Sequence, residues 1–294
     1  MPDASVVIAT RNRAGLLRGC LERLSAQSAA GRFEVVVVDN GSTDETPAVV
    51  EAAGHAGLAV RAIHVAEPNR GKARNAGIAA CSGAAILFCD DDTLPPRGWV
   101  EAHLAAREAD PRSVVSGPII NVEGDGDLPP PSPKNFSRAF FCTCNVSVSR
   151  AELDAVGGFD ERYDLYGWED TDLGVRLRER GARRVWSWGA HIYHVKPAAA
   201  QPLDARVALA AEKGTMAARF IRKSPTLPVR LATGAYALNF ARAALLEAPP
   251  LRRWYARLAA DPNSARSPLG RFAAEALVDA AYLDALLVAL RRDG

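Results

Sequence analysis

The stretch Ala84-Ala85-Ile86-Leu87-Phe88-Cys89-Asp90-Asp91-Asp92-Thr93-Leu94-Pro95-Pro96 decides how this chain folds. Six apolar residues without polar alternation describe a strand covered on both faces, and three adjacent carboxylates stand at its carboxyl end. Like charges so close cost stability unless a cation or solvent compensates. Either the triplet is a solvated acidic turn ahead of Pro95-Pro96, or it faces the ligand crevice that α/β sheets form at the carboxyl ends of their strands. In the second case Mg²⁺ or Mn²⁺ would bind through one or two carboxylates together with substrate phosphates. Alternate residues of an extended segment share a face, so Asp90 and Asp92 can address one ligand.

Working outward from this strand, the first hundred residues alternate short β-rich runs with helix-like segments. Strands are expected at Ser5–Ala9, Phe33–Val38 and Ala59–Val65, and helices over Leu16–Ser25, from Ser42…Glu45 toward Ala53, and over Lys72–Ala80. The first helix places Leu16, Leu17, Leu21 and Leu24 on its apolar face, and Ser42…Glu45 has the spacing of a capping box. Buried strands separated by helices mean an α/β fold with a mainly parallel sheet between helical layers. Beyond residue 110 the rhythm changes. Ser113–Ile120 and Cys142–Val148 are expected as strands, with the Gly- and Pro-rich loop Asn121–Ala139 between them, either a lid or a connector. A short helix over Ala151–Val156 stops at Gly157-Gly158, a helix over Trp168–Arg180 closes at Gly181, and a strand follows near Arg184–Trp188.

Three further sites carry chemistry. Asp39 ends the second strand, where an acid serves either a ribose or a turn. Glu169, Asp170 and Asp172 open a helix, where the dipole favours acids; that is capping, or a rigid mount for a general base. Trp168 beside them offers a flat face for a sugar ring, or else a core anchor. His191 and His194 follow the last strand of this region, and imidazole is a competent ligand for Mn²⁺-like ions. A zinc site with Cys142 and Cys144 is disfavoured because C-x-C is not usual zinc spacing, and these two cysteines are expected on one strand face. Thr10-Arg11-Asn12-Arg13 is not a G-x-G-x-x-G turn, and Gly71-Lys72 lacks the earlier glycine of a P-loop, where Ala66 stands.

Composition bounds the rest. The 294 residues, 48% hydrophobic and 24% charged, suit a globular protein of one large domain with an appendage. We expect residues 1–197 to form the catalytic domain and residues 198–294, Ala- and Leu-rich and punctuated by proline, a helical extension. The extension carries 14 Lys/Arg against 8 Asp/Glu, and residues 1–197 carry 22 against 26. Such asymmetry suits a tail lying on anionic lipid headgroups, a homodimer contact or a solvated basic face. No stretch reaches the ~20 apolar residues needed to span a bilayer. The absence of a secretory signal and five scattered cysteines (Cys20, Cys81, Cys89, Cys142, Cys144) lead us to expect a cytoplasmic protein, with peripheral contact at the inner membrane face as an option. Nothing points to nucleic acid.

In order, the segments Ser5–Arg13, Val37–Asp44, Asn69–Gly77, Phe88–Asp92, Gly157–Glu161 and Gly167–Leu173 resemble the family 2 glycosyltransferases, nucleotide-sugar enzymes with a GT-A fold. The resemblance spans residues 5–195. It implies an inverting transfer from a nucleoside-diphosphate sugar, with uridine the usual base, to a hydroxyl of a saccharide, lipid-linked or small-molecule acceptor. It further implies that Thr10, Arg13 and Asp39 hold base and ribose, with Asp90, Asp91 and Trp168 also on the donor's side. Asp90 and Asp92 become the ends of a D-x-D motif, with Asp92 and His194 ligating Mn²⁺ or Mg²⁺ and His191 the second choice. Asp170 becomes the catalytic base and Glu169 a holder of the acceptor. No Q-x-x-R-W signature is present, which favours single transfer over polymerisation. Two alternatives remain: a catalytically silent sugar-binding module of the same fold, which need not keep a base, and a nucleotidyltransferase, which would open on a Gly-rich loop.

Overall fold

The computed structural model describes residues 1–67, 69–196, 201–261 and 267–292. They fall into two compact units, one of Met1–Asp164 with Glu169–Ala198 and one of Leu165–Trp168 with Ala199–Gly294.

The first unit is built on β1 (Ala4–Thr10), β2 (Phe33–Asp39), β3 (Val60–His64) and β4 (Ala85–Cys89). Four further strands complete its two sheets on the far side: β6 (Val114–Ser116), β7 (Ile119–Val122), β8 (Asn145–Ser149) and β9 (Arg184–Trp186). Short β5 (Thr93–Leu94) and β10 (Ile192–Val195) belong to the smaller sheet. The larger sheet runs β3-β2-β1-β4-β8-β6-β9, and the smaller runs β5-β10-β7. β1 to β4 are mutually parallel, whereas β8 runs against both β4 and β6. Its amino end therefore meets the carboxyl ends of β1, β2 and β4 at one edge.

The unbroken apolar strands are buried because each face has its own core. Val6, Ile8, Val35, Val37 and Leu87 pack with Leu17, Cys20, Leu21 and Leu24 of α1 (Ala14–Ser25). The alternate residues Val7, Val36, Val38, Ile86 and Phe88 pack with Ala73 and Ile78 of α3 (Arg70–Ala80) and with Leu153, Leu173 and Leu177 beyond. Gly77 lets α3 lie this close, since a Cβ there would come 2.6 Å from Val7 Cγ1. The α1 expectation needs one correction: Leu16 is exposed, and Cys20 takes its place in the i, i+3, i+4, i+7 stripe.

Other expectations shift as well. α2 (Thr46–His55) has no capping box; Asp44 accepts from the Thr46 amide, while Ser42 accepts from the Asn12 amide. The single strand expected over Ser113–Ile120 is two strands in different sheets. Pro118 between them has no N–H to give a ladder, and a Cβ on Gly117 would sit 2.0 Å from the Ala190 carbonyl oxygen. Cys142 and Cys144 precede β8 instead of sharing one of its faces. The loop after β7 holds a single 3₁₀ turn, Pro133–Asn135.

A buried polar knot ties β8 to α4 (Trp99–Glu108). Asn145 Oδ1 accepts from Trp99 Nε1 at 2.9 Å and lies 3.0 Å from His103 Nε2, while its Nδ2 donates to the carbonyls of Pro118 and Ala190. Burial holds the His103 pKa down at about 4. Asn145→Ala would strand four such groups. At about 1–3 kcal/mol for each group left wholly unsatisfied, and with partial relaxation, we expect a loss of roughly 2–4 kcal/mol. A lowered urea midpoint at unchanged slope reads it; an unchanged midpoint would contradict it.

Helices α5 (Arg150–Val156) and α6 (Glu169–Glu179) complete the first unit. The second is helical: α7 (Leu203–Lys223), α8 (Leu227–Ala232), α9 (Ala237–Leu246), α10 (Pro249–Ala260) and α11 (Pro268–Arg292). Among the described residues no helix is long and apolar enough to cross a membrane.

Candidate active site

The register of the sheet sets the first side chains. Thr10 and Asp39 are paired residues at the ends of β1 and β2, and Asp90 begins the turn after β4. That turn is closed by Thr93, whose amide and hydroxyl both donate to the Asp90 carbonyl.

Asp91 is buried, with both carboxylate oxygens occupied: Thr10 Oγ1 donates to one at 2.7 Å and an Arg13 guanidinium nitrogen to the other at 3.1 Å. Arg13 also reaches Asp92 Oδ2 at 3.1 Å. Asp91 thus fastens the loop after β1 to the acidic turn, and does so as a buried strut. Burial pushes its pKa up against the pull of Thr10 and Arg13.

The same loop is stitched to the one after β2. Asn12, at φ 53°, accepts from the Thr43 amide at 2.7 Å, and Asp44 accepts from the Ala14 amide at 3.0 Å. Asp39 accepts from the Ser42 amide at 2.8 Å, and its other oxygen lies 3.2 Å from His64 Nδ1. Burial acts to raise the Asp39 carboxyl, but Ser42 and His64 outweigh it and hold the group below its ordinary range. His64 was not foreseen, because it ends a strand otherwise read only for its apolar residues.

The small sheet brings His194 to the acids. Pairing of β10 with β5 sets His194 opposite Thr93, and the Val195 amide donates to the Asp92 carbonyl. His194 Nε2 then lies 3.1 Å from Asp92 Oδ1 and 3.0 Å from Lys196 Nζ. Asp92 Oδ1 is buried and has His194 Nε2 as its polar neighbour. Burial raises the Asp92 pKa, yet His194, Arg13 and Lys196 bring it below the usual carboxylate value. Hard oxygens and an imidazole suit Mn²⁺ or Mg²⁺. Among the described residues no three His, Cys, Asp or Glu side chains form a complete cage; a cation that shares its shell with substrate phosphates needs only one or two protein ligands. His191 precedes β10 and packs edge-on against Tyr193. Burial holds the Cys142 thiol up at about 12 and lifts Cys144 too, so both are protonated at neutral pH.

The acids at the start of α6 are organised by a residue to which sequence alone assigns no role. Arg74, buried in α3, donates to Glu169 at 3.1 Å and lies 3.8 Å from both Asp90 and Asp170. Its guanidinium also covers the Phe159 ring at 5.5 Å. A charged residue on the sheet-facing side of an otherwise Ala- and Ile-lined helix was the available signal. Asp170 accepts from both the amide and the hydroxyl of Thr143, at 2.8 and 2.9 Å, through Oδ2 alone. Oδ1 is buried without a hydrogen bond. Burial drives the Asp170 pKa up to about 6, with Arg74 opposing and Glu169 reinforcing. Glu169 is itself buried against Arg74, which leaves it little freedom to hold an acceptor.

Trp168 lies outside α6, at φ 75°, and belongs to the second unit. Its ring stacks on Phe220 at 5.7 Å and its indole N–H donates to the Lys213 carbonyl. One face is therefore already taken.

Residues 5–159 match the family model described as Glycosyl transferase family 2, and residues 127–196 match one described as N-terminal domain of galactosyltransferase. A validoxylamine A glucosyltransferase of Streptomyces hygroscopicus subsp. jinggangensis is 32% identical over 273 residues, covering 77% of this chain and 62% of that protein. A pre-mycofactocin glycosyltransferase of Mycobacterium tuberculosis is 30% identical over 198 residues, covering 62% of this chain and 40% of the relative. The chain thus spans 62% and 40% of the length of these two curated relatives. Among solved structures, a mannosyltransferase, PcManGT from Pyrobaculum calidifontis in complex with GDP-Man and Mn²⁺, superposes with a TM-score of 0.66 at 22% identity, over 99% of this chain and 88% of that one. S. aureus TarS 1–349 in complex with UDP-GlcNAc gives 0.60 at 20% identity, over 98% and 91%. These likenesses bear out the α/β architecture as a GT-A fold.

Proposed function

Because the chain belongs to glycosyltransferase family 2, we propose that it moves a sugar from a nucleoside-diphosphate donor to an acceptor hydroxyl, inverting the anomeric carbon. The observation that carries this reading is Asp170: Oδ2 is pinned by Thr143, while Oδ1, 3.8 Å from Arg74, accepts no hydrogen bond. A group with a pKa near 6 is ionised at neutral pH and still basic enough to accept a proton as the hydroxyl attacks.

In this reading Asp39, with Thr10 and Arg13 fixed by Asp91, receives the base and ribose of a uridine diphosphate sugar. Asp92 and His194, with Asp90 beside them, would hold Mn²⁺ or Mg²⁺, which supplies Lewis-acid stabilisation of the charge on the departing diphosphate. Asp170 Oδ1 takes the acceptor's proton while its oxygen bonds the anomeric carbon and the opposite sugar–phosphate bond breaks. Glu169 acts through Asp170 by raising its basicity and does not touch the acceptor. Fixed positions and preset charges supply most of the acceleration.

Release of nucleoside diphosphate from a panel of sugar nucleotides, in the presence of mixed acceptors, tests this. EDTA is expected to lower release by about two orders of magnitude or more, and added Mn²⁺ to restore it. Release indifferent to chelation would remove the metal role. Proton NMR of the product should show the opposite anomer to the donor, and retention would remove the in-line role of Asp170.

A further inference from the structure

Residues 227–288 hold ten of the fifteen exposed large apolar side chains found among the described residues, so the second unit has an uncovered apolar surface. It includes α9, Ala-Leu-Asn-Phe-Ala-Arg-Ala-Ala-Leu-Leu, a helix apolar almost all round that buries none of its residues. A helix of that composition is ordinarily covered. Ten residues make about 15 Å of helix, too short to span a bilayer.

Helical periodicity places Leu238, Arg242 and Leu245 on one stripe of α9, and the two leucines are 77% and 73% exposed. The flanking helices repeat the pattern. In α8, Leu227 and Leu231 are exposed one turn apart with Arg230 between them. In α10, Pro250, Arg253, Trp254 and Arg257 share one arc opposite the buried Tyr255.

Charge identifies what covers this surface. From residue 225 to 260 the sole acid is Glu247, which is buried beside Arg242 and Arg252. Arg252 is further engaged by Asp284. Among the described residues Arg230, Arg253 and Arg257 make no ion pair. Leucine and tryptophan interleaved with unpaired arginines, with no exposed acid on α8, α9 or α10 themselves, complement an anionic lipid surface. A symmetric dimer through the same patch would bring arginines against arginines with nothing to neutralise them. We propose that α8, α9 and α10 form a docking surface for anionic membranes, lying in the headgroup layer with Leu238, Leu245 and Trp254 inserted.

Full-length protein is sedimented with vesicles of phosphatidylcholine alone or with about one third phosphatidylglycerol, and its mass in solution is measured by light scattering. The expected result is a monomer that binds only the anionic vesicles and is released by high salt. Leu238→Asp with Leu245→Asp, both at exposed positions, should abolish most binding with unchanged circular dichroism. Arg253→Glu with Arg257→Glu should weaken binding about tenfold or more, since each cation near the surface contributes roughly fivefold. Equal sedimentation of wild type and either variant overturns the proposal. So does a wild-type dimer that the leucine substitutions dissociate, which would make the patch a contact between copies. Because the readout is partitioning, its outcome is separate from that of sugar transfer.

Discussion

Replacing Asp170 by asparagine is expected to cut turnover by about 10²–10⁴, the usual contribution of a positioned general base, with little change in donor affinity. Asparagine keeps the shape and can still accept the Thr143 amide hydrogen, so the lost element is basicity. The pH dependence adds a sharper signature. Asp170 must be ionised to work, so the wild-type rate should climb about tenfold per unit below its pKa of about 6 and level off above it. The variant should lack that limb. Stability should move the other way. A folded pKa raised above the ordinary 3.8 means folding disfavours the carboxylate, so stability declines as pH rises from about 4 to about 6 and stays lower beyond. Asp170→Asn is thus expected to melt higher than wild type at pH 8, by on the order of 1–3 kcal/mol, and to lose that advantage near pH 4. Unchanged turnover with donor binding intact would show that Asp170 is not the general base.

Arg74→Met is the second large effect. Arg74 is the shared counter-charge of Asp90, Glu169 and Asp170, and methionine fills similar space without charge. Removing one partner of a buried charge cluster typically costs about 3–5 kcal/mol, so the thermal midpoint should fall by many degrees. Arg74 also holds the Asp170 pKa down. Without it the acid limb of the rate profile should move toward alkaline pH by about one unit or more. Arg74→Lys, which restores a point charge but not the fork, should recover part of the pH shift. A variant that loses stability while its limb stays at the wild-type pH would show that Arg74 only holds the fold together.

The parallel half of the sheet was legible because β1, β2 and β4 carry unbroken apolar runs that end in polar turns, and only the edge strand β3 mixes in Arg61 and His64. The acids at those ends followed from position alone. What sequence could not show depends on contacts remote in the chain. Nothing local says that Gly117 touches Ala190, so β6 and β7 read as one strand. β5 is two residues long and gains its meaning only from β10, which is why the nearness of His194 to Asp92 came from resemblance and not from periodicity. Leu16 and Cys20 exchanged places because hydrophobicity alone cannot set the rotation of a helix against its sheet. The partners of Arg74 lie 16, 95 and 96 residues away, beyond any spacing rule.

The reversed direction of β8 has a consequence for how such a scaffold diversifies. Thr10, Asp39 and Asp90 hang from strands completed within the first ninety residues, whereas Thr143, which pins Asp170 of α6, stands at the entry of a strand running in the opposite sense. The segment between β7 and β8 can lengthen, shorten or change chemistry without moving the register of β1, β2 or β4. Changes in that segment would then leave the side chains held by β1, β2 and β4 in place.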